Sequence, residues 1–138
     1  MIKSCVNQYG SQAIICSIDY KIVKNKLVTY TDNGEKEFLK VKQHIDLGEK
    51  MKFGEIFINN IDRDGTGFGL DSQIYQYLDL RIPFVIGGGA AKYQHFIESF
   101  KNKKVSGIST GNLFNFIGDG LKNLRADLVK SNINLRKL

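Results

Sequence analysis

The sequence predicts an α/β protein in which strand–helix units repeat around a parallel sheet. Apolar runs of strand length alternate with segments of helical periodicity along the chain. Several runs are apolar at consecutive positions and rich in β-branched residues, which is typical of parallel strands covered on both faces. The length of 138 residues, 42% of them hydrophobic, fits a single domain spanning residues 1–138.

The first predicted elements include one strand, one hairpin and one helix. A short helical segment reaches about Tyr9, and the first strand, AIICSID, runs from Ala13 to Asp19. The segment KIVKNKLVTYT predicts a small hairpin that turns at Asn25, and DNGEKE predicts a turn after it. From about Glu37 to Met51 the apolar residues recur at roughly helical spacing, so we expect a helix there.

Three further strand–helix units follow. GEIFINN is the second strand, and SQIYQYLD after it is expected to be helical, with Asp71 as its N-cap. IPFVIGGG is the third strand, and AKYQHFIESFKN is the helix behind it. VSGISTG is the fourth strand, and GDGLKNLRADLVKS is the closing helix. Four such units predict a parallel sheet with its ligand site at one edge.

Composition and charge favour a small-molecule partner over a membrane or a nucleic acid. The sequence has no apolar run long enough to cross a membrane and no signal-peptide core, so we expect a soluble cytoplasmic protein. The net charge is +6, but the lysines are scattered without interleaved aromatic residues, which indicates a solvated surface. A positive field of this kind attracts phosphorylated metabolites.

The cysteines and histidines match no metal or redox motif. Cys5 and Cys16 are the only cysteines, and we expect both to be buried thiols. His44 and His95 lie within helical patterns and are expected to be surface or packing residues.

Acidic and glycine residues follow the strands at the ends where βα proteins bind ligands. Asp19 ends the first strand, DRDGT follows the second, Gly87–Gly89 end the third, and Gly111 with Asn112 follows the fourth. Glycines allow the backbone to approach a phosphate closely. Other readings stay open, because GGG can be a tight turn and a terminal Asp can be a helix cap. Arg63 is expected to pair with a loop acid such as Asp62 or Asp64.

Four motifs, in this order, resemble the C-terminal half of the cyclase subunit of imidazole glycerol phosphate synthase: GSQAIICSIDYK, GEIFINNIDRDGTGFGLD, IPFVIGGGAAKYQHF and VSGISTGNLF. The resemblance covers nearly the whole chain, and IDRDGT after GEI is its most specific part. It implies half of a (βα)8 TIM barrel, with four βα units. It also implies a barrel that uses ammonia from a glutaminase subunit to form imidazole glycerol phosphate and an aminoimidazole carboxamide ribotide in histidine biosynthesis. No cofactor or metal is implied.

The resemblance implies roles for individual residues. Asp19 matches one of two aspartates that act as general acid and base, which suits an elimination followed by ring closure. Glu55 matches a charged residue at the ammonia entrance, on the opposite mouth of the barrel. The residues implied to bind the substrate or its phosphates are Thr31, Asp64, Gly65, Gly88, Gly89, Ala90, Gly111 and Asn112.

Some positions depart from the family pattern. Gly87 and Asn112 stand where the family commonly has serine, and Asn59-Asn60 stands where it has Thr-Ser. The ending GNLFNF with GDGLKNL resembles a paralogous branch associated with surface polysaccharide, which is thought to deliver ammonia for converting an acetamido sugar to an acetamidino sugar. The alternatives are therefore this paralogue or a catalytically silent, phosphate-binding half-barrel.

A complete barrel needs about 250 residues, so the first four βα units are expected to lie outside this chain. The chain is then a fragment, a split gene product or a half-barrel that assembles with other chains. We expect a homo-oligomer that completes a barrel, because sheet edges invite pairing. We also expect the DRDGT loop to be mobile without ligand, because Gly65, Gly67 and Gly69 lie in or beside it.

Overall fold

The structure is a computed structural model that describes residues 2–78, 81–111, 113–115 and 118–135. Short 3-10 helices occupy Ser11–Ala13, Ser72–Tyr77 and Leu113–Asn115. The helices and strands, in chain order, are α1 (Ile2–Tyr9), β1 (Ile15–Val23), β2 (Lys26–Thr31), β3 (Lys36–Lys40), α2 (Val41–Lys50), β4 (Glu55–Asn60), β5 (Phe84–Gly87), α3 (Tyr93–Phe100), β6 (Val105–Ile108) and α4 (Gly120–Lys130).

The strands form one six-stranded sheet in the order β3-β2-β1-β4-β5-β6. β1, β4, β5 and β6 are parallel neighbours, which confirms the predicted parallel sheet of four βα units. β2 and β3 extend the sheet beside β1 in antiparallel fashion. The molecule is therefore a mixed α/β fold that forms part of a TIM barrel.

The two faces of the sheet differ in burial. Alternate side chains of the parallel strands pack with α2 and the 3-10 helix Ser72–Tyr77 in the main hydrophobic core, as alternation along a strand requires. A second cluster joins residues of α3 and α4. The other face carries Ile15, which is 58% exposed, and the half-buried Phe57 and Val85. We call this the inner face, because it corresponds to the interior of a closed barrel.

The helix expected from Glu37 begins later than predicted. Residues Lys36–Lys40 form β3, and the helix begins at Val41. The strand is held by β2, where the Thr29 hydroxyl donates to the Leu39 carbonyl at 3.0 Å and accepts from the Leu39 N–H at 3.1 Å. Pairing with a distant segment therefore overrides a local helical pattern in these five residues.

Other local predictions hold with small changes. The hairpin turns at Lys24 and Asn25, both with positive φ angles, as expected for a two-residue turn. The Asp71 carboxylate accepts a hydrogen bond from the Gln73 N–H at 3.0 Å, which confirms the predicted N-cap. The segment that it caps is a 3-10 helix rather than an α-helix.

The cysteines are less buried than predicted. Cys5 and Cys16 are free thiols of intermediate exposure, and burial raises the pKa of the Cys16 thiol. The two histidines are packing residues, as predicted. The Nδ1 atom of His95 accepts from the Ala91 N–H at 3.2 Å, and partial burial lowers the pKa of His44.

Across the described ranges, no helix has the length and apolar character needed to span a membrane.

Candidate functional site

A cavity of about 370 Å³ opens where the parallel strands end. Its walls come from the ends of β4, β5 and β6 and from the loop after β4. Predicted site residues that line it are Asp64, Gly65, Gly88, Gly89, Ala90 and Gly111. The fold thus brings together residues from three separate motifs, as expected when parallel strands end at one edge.

Three other predicted site residues do not line the cavity. Asp19 is in β1, in register with Asn59, which does line the cavity. Thr31 ends β2 and is exposed, one residue after Tyr30, the partner of Asp19 in the hairpin. Glu55 begins β4, so it lies at the amino-terminal ends of the strands, opposite the cavity. Asn112 lies outside the described residues.

Asp19 and Asp64 both lie at the carboxyl ends of the strands, and the charge of Asp64 acts on Asp19. Burial raises the pKa of Asp19 above its ordinary range, and the negative charge of Asp64 raises this pKa further. Asp19 is half-buried and Asp64 is exposed. A carboxyl group with a raised pKa keeps its proton at higher pH, which suits proton donation.

The glycines after β5 let two backbone segments meet. A Cβ built at Gly88 would lie 2.3 Å from the Asn60 carbonyl oxygen, and one at Gly89 would lie 2.6 Å from the Gly69 oxygen. The Gly69 N–H donates to the Gly89 carbonyl at 2.8 Å, so the loop after β4 is bound directly to the end of β5. Side chains at Gly88 and Gly89 would separate these two walls of the cavity.

Gly87 and Asn59 share one space. A Cβ at Gly87 would lie 2.7 Å from Asn59 Oδ1 and 3.0 Å from a ring carbon of Phe57. Glycine at 87 therefore leaves the Asn59 carboxamide in place, whereas a side chain at 87 would force this carboxamide or the Phe57 ring to shift. The Asn59 carboxamide lines the cavity at this point and offers both a donor and an acceptor.

Arg63 does not pair with a loop acid as predicted. Its Nη1 donates to the Gly69 carbonyl at 3.1 Å and lies 3.5 Å from the Leu70 carbonyl. These carbonyls belong to the end of the loop that Arg63 begins, so the guanidinium ties the loop to itself. A planar guanidinium with several donors suits backbone carbonyls that have no other partner.

Several cavity residues were not named as site residues from the sequence. They are Phe57, Asn59, Gly67, Ala91, Ser109 and Thr110, whereas Thr66 belongs to the DRDGT segment that was predicted to lie at the ligand site. Ser109 and Thr110 directly precede Gly111, and the Thr110 hydroxyl donates to the Ala90 carbonyl at 2.8 Å. Their position at a strand end was a usable signal. Phe57 and Asn59 could have been found by alternation along β4, because they share its inner face.

Parallel βα units with a glycine-lined cavity at the carboxyl ends of the strands are typical of barrel-type α/β proteins, whose sites lie at that end of the strands. Residues 1–118 match the family described as "Histidine biosynthesis protein", and the chain belongs to this family.

The chain is similar to several proteins named for one enzyme. It is 33% identical over 117 residues to a protein provisionally named imidazole glycerol phosphate synthase subunit hisF2 from Parasynechococcus marenigrum, covering 83% of this chain and 44% of that protein. It is 29% identical to the HisF subunit of Thermotoga sp. strain RQ2 and 30% identical to that of Saccharolobus solfataricus. These matches cover 99% of this chain and 54% and 55% of the relatives. The chain thus spans about half the length of its relatives.

Proposed function

We propose that the chain is the C-terminal half of a cyclase of the imidazole glycerol phosphate synthase type. In this role it uses ammonia from a glutaminase subunit to form imidazole glycerol phosphate and an aminoimidazole carboxamide ribotide in histidine biosynthesis. The observation that supports the proposal is the cavity where Asp64, Gly88, Gly89 and Gly111 meet beside Asp19. The HisF relatives are named as subunits of imidazole glycerol phosphate synthase, which also supports the proposal.

In this proposal the substrate phosphate binds to a glycine cradle, defined as Gly88, Gly89 and Gly111, with Ala90 beside it. Backbone N–H groups at such a site donate to the phosphate oxygens, and the absence of side chains lets the anion approach. Asn112 follows Gly111 in sequence, and the resemblance assigns it to the same phosphate site. Asp64 and Gly65 contact the substrate from the loop after β4, and Thr31 contacts it from β2.

Asp19 is the proposed general acid and base. Its raised pKa allows it to hold a proton for the leaving group and to take one during ring closure. The second aspartate of the reaction belongs to the other half of the barrel. Glu55, at the amino-terminal edge of the sheet, belongs to the proposed ammonia entrance.

A paralogous role in sugar amidination is the second candidate. The Asn59 and Gly87 pair supports it, because a carboxamide in the cavity wall replaces smaller hydroxyl side chains and changes the groups offered to a ligand. The similarity to the hisF2 protein also fits a branch distinct from the standard subunit. A third candidate is a catalytically silent half-barrel that keeps phosphate binding and associates with other chains.

One variant separates catalysis from phosphate binding. We expect Asp19→Asn to abolish ammonium-dependent turnover of the phosphoribulosyl formimino intermediate, because an amide cannot transfer the proton. Binding of inorganic phosphate, followed through the amide resonances of the glycine cradle, should change by less than about twofold, since the cradle binds through backbone donors.

The control is the unmodified 138-residue chain under the same conditions. Equal loss of turnover and phosphate binding in Asp19→Asn would contradict the assigned role of Asp19. Phosphate binding without turnover in the unmodified chain would favour the silent half-barrel, and turnover of the ribulosyl intermediate would exclude it.

A further inference from the structure

A buried hydrogen bond lies beneath the cavity, on the helix side of the sheet. The Tyr20 hydroxyl donates to Asp71 Oδ2 at 3.0 Å. Tyr20 is fully buried, and Asp71 is 2% exposed. The other carboxylate oxygen of Asp71 accepts from the Gln73 N–H. Two residues far apart in sequence are thus joined by a contact from which water is excluded.

The Tyr20–Asp71 hydrogen bond connects the strand that carries Asp19 to the loop that carries Asp64. Tyr20 follows Asp19 in β1, and adjacent strand residues point to opposite faces of the sheet. Asp71 lies at the end of the loop that begins after Asn60 and carries Asp64. β1 therefore presents Asp19 on the cavity side and holds the loop of Asp64 from the other side.

The start of the loop is held on the same face. Asn60, the register partner of Tyr20, is buried in β4, and its Oδ1 accepts from the N–H groups of Asp62 and Arg63 at 3.1 and 3.2 Å. The Arg63 side chain then bonds to the Gly69 carbonyl near the loop's end. Both ends of the loop are anchored. The Asp64 N–H also donates to the Asn60 carbonyl at 3.1 Å, and Asp64 is itself exposed.

A tyrosine suits this position chemically. Burial raises the pKa of the Tyr20 hydroxyl, and the charge of Asp71 raises it further, so the phenol stays protonated and remains a donor. A buried carboxylate needs such donors, because its desolvation is costly without them. Phenylalanine at this position would fill the same volume but leave one Asp71 oxygen without its donor.

We propose that Tyr20 and Asp71 are positioning residues that fix the loop after β4 so that Asp64 stays beside Asp19. The inference deepens the proposed function, and it rests on that function for the catalytic meaning of the Asp19 and Asp64 pair. The contact acts through the loop and touches no substrate.

The test measures the ionisation of Asp19 rather than turnover. The side-chain carboxyl carbon of Asp19 is titrated by NMR in the 138-residue chain and in Tyr20→Phe and Asp64→Asn variants. We expect Asp64→Asn to lower the apparent pKa of Asp19, because it removes the neighbouring charge. Tyr20→Phe should also lower the apparent pKa of Asp19, but by less than Asp64→Asn. Loss of the anchor at Asp71 frees only the end of the loop, and the exposed Asp64 carboxylate can then move away from Asp19 while its backbone stays bonded to Asn60.

Tyr75→Phe is the matched control. The Tyr75 hydroxyl donates to Ser99 Oγ at 2.7 Å, so this variant also removes an internal phenol hydrogen bond but leaves the loop anchors intact. Asp19 should titrate as in the unmodified chain. If Tyr20→Phe does not fold, the Tyr20→Phe/Asp71→Asn variant replaces it with the same expectation, because it leaves no unpaired buried charge.

Two results would overturn the proposal. One is an Asp19 titration in Tyr20→Phe that matches both the unmodified chain and Tyr75→Phe. The other is an Asp19 titration that Asp64→Asn leaves unchanged, since the loop would then have no charge to position. Neither result depends on turnover, so failure of the proposed cyclase function and failure of this positioning role are separate outcomes.

Discussion

Gly88 and Gly111 both belong to the glycine cradle, but they differ in what a side chain would meet. Gly88 has a φ of +95° and its added Cβ would lie 2.3 Å from the Asn60 carbonyl oxygen. An added Cβ at Gly111 would meet nothing within 4 Å. The first glycine is therefore required by the packing of two backbone segments, whereas the second is free to change without steric conflict.

We expect Gly88→Ala to destabilise the fold by at least about 2 kcal/mol, because left-handed strain adds to a backbone clash. Gly111→Ala should change the free energy of unfolding by less than about 0.5 kcal/mol, as exposed substitutions usually do. Urea unfolding of both variants measures the difference. Similar losses of stability in the two variants would show that the close approach at Gly88 is not as described.

The sequence predicted those cavity residues whose type allows few roles at the end of a strand. Asp64 and the glycines after β5 were predictable, because charge and backbone freedom at a strand end have few uses. Ser109 and Thr110 were not predicted, since a serine or a threonine near a turn has many ordinary roles. The partners of Arg63 also could not be read from the sequence, because backbone carbonyls compete with acids as acceptors.

At the scale of elements, the loop from Ile61 to Leu70 combines fixed ends with an exposed tip. The N–H groups of Arg63 and Asp64 bond to the Asn60 carbonyl, and the Gly69 N–H bonds to Gly89. Gly65 is exposed, and the Phe68 side chain is 82% exposed. We therefore expect the mobility predicted from the glycines at the tip of the loop and not at its base.

We expect the amide of Gly65 to exchange with solvent at least about tenfold faster than those of Arg63 and Gly69, because bonded amides must open first. Hydrogen exchange followed by NMR measures this ratio. Added phosphate should slow Gly65 if the tip closes on a ligand. Uniform protection from Ile61 to Leu70 in the absence of phosphate would be evidence against a mobile tip.

Element type was predictable wherever a local pattern and a distant partner agreed. β4 and β5 were identified from apolar runs that parallel neighbours bury. β3 was assigned to a helix, because its five residues carry no strand alternation of their own and depend on β2 for their hydrogen bonds. A short segment of this kind takes its conformation from the sheet that it joins.

At the scale of the whole molecule, the sheet has open edges and an open inner face. β2 pairs with β1 only from Asp19 to Val23, so that side of β1 is free from Ile15 to Ile18. β6 lies at the far edge of the sheet. The hairpin thus covers part of the outer edge of β1. The part of β1 that β2 leaves unpaired, Ile15 to Ile18, is as long as the four-residue strand β6 at the other edge.

We expect two copies of the 138-residue chain to pair these edges and cover each other's inner faces, because an isologous contact satisfies both at once. Light scattering at micromolar concentration should give twice the chain mass of 15.6 kDa. Ile15→Lys should shift the mass towards that of one chain, because a charge on the inner face opposes its burial.

Leu121→Lys is the matched control for this variant. Leu121 is as exposed as Ile15, at 58%, but it lies on α4 rather than on the inner face. The Leu121→Lys variant should therefore have the same mass in solution as the unmodified chain. A mass of 15.6 kDa for the unmodified chain, with a thermal transition independent of concentration, would refute the dimer.

The shared space of Asn59 and Gly87 also couples the two positions. A serine or alanine at position 87 would place its Cβ 2.7 Å from Asn59 Oδ1, so the Asn59 carboxamide would have to turn away to accommodate it. Because that carboxamide lines the cavity, a substitution at position 87 would also change the groups that the cavity wall offers at position 59. A change at one of these two positions is therefore felt at the other.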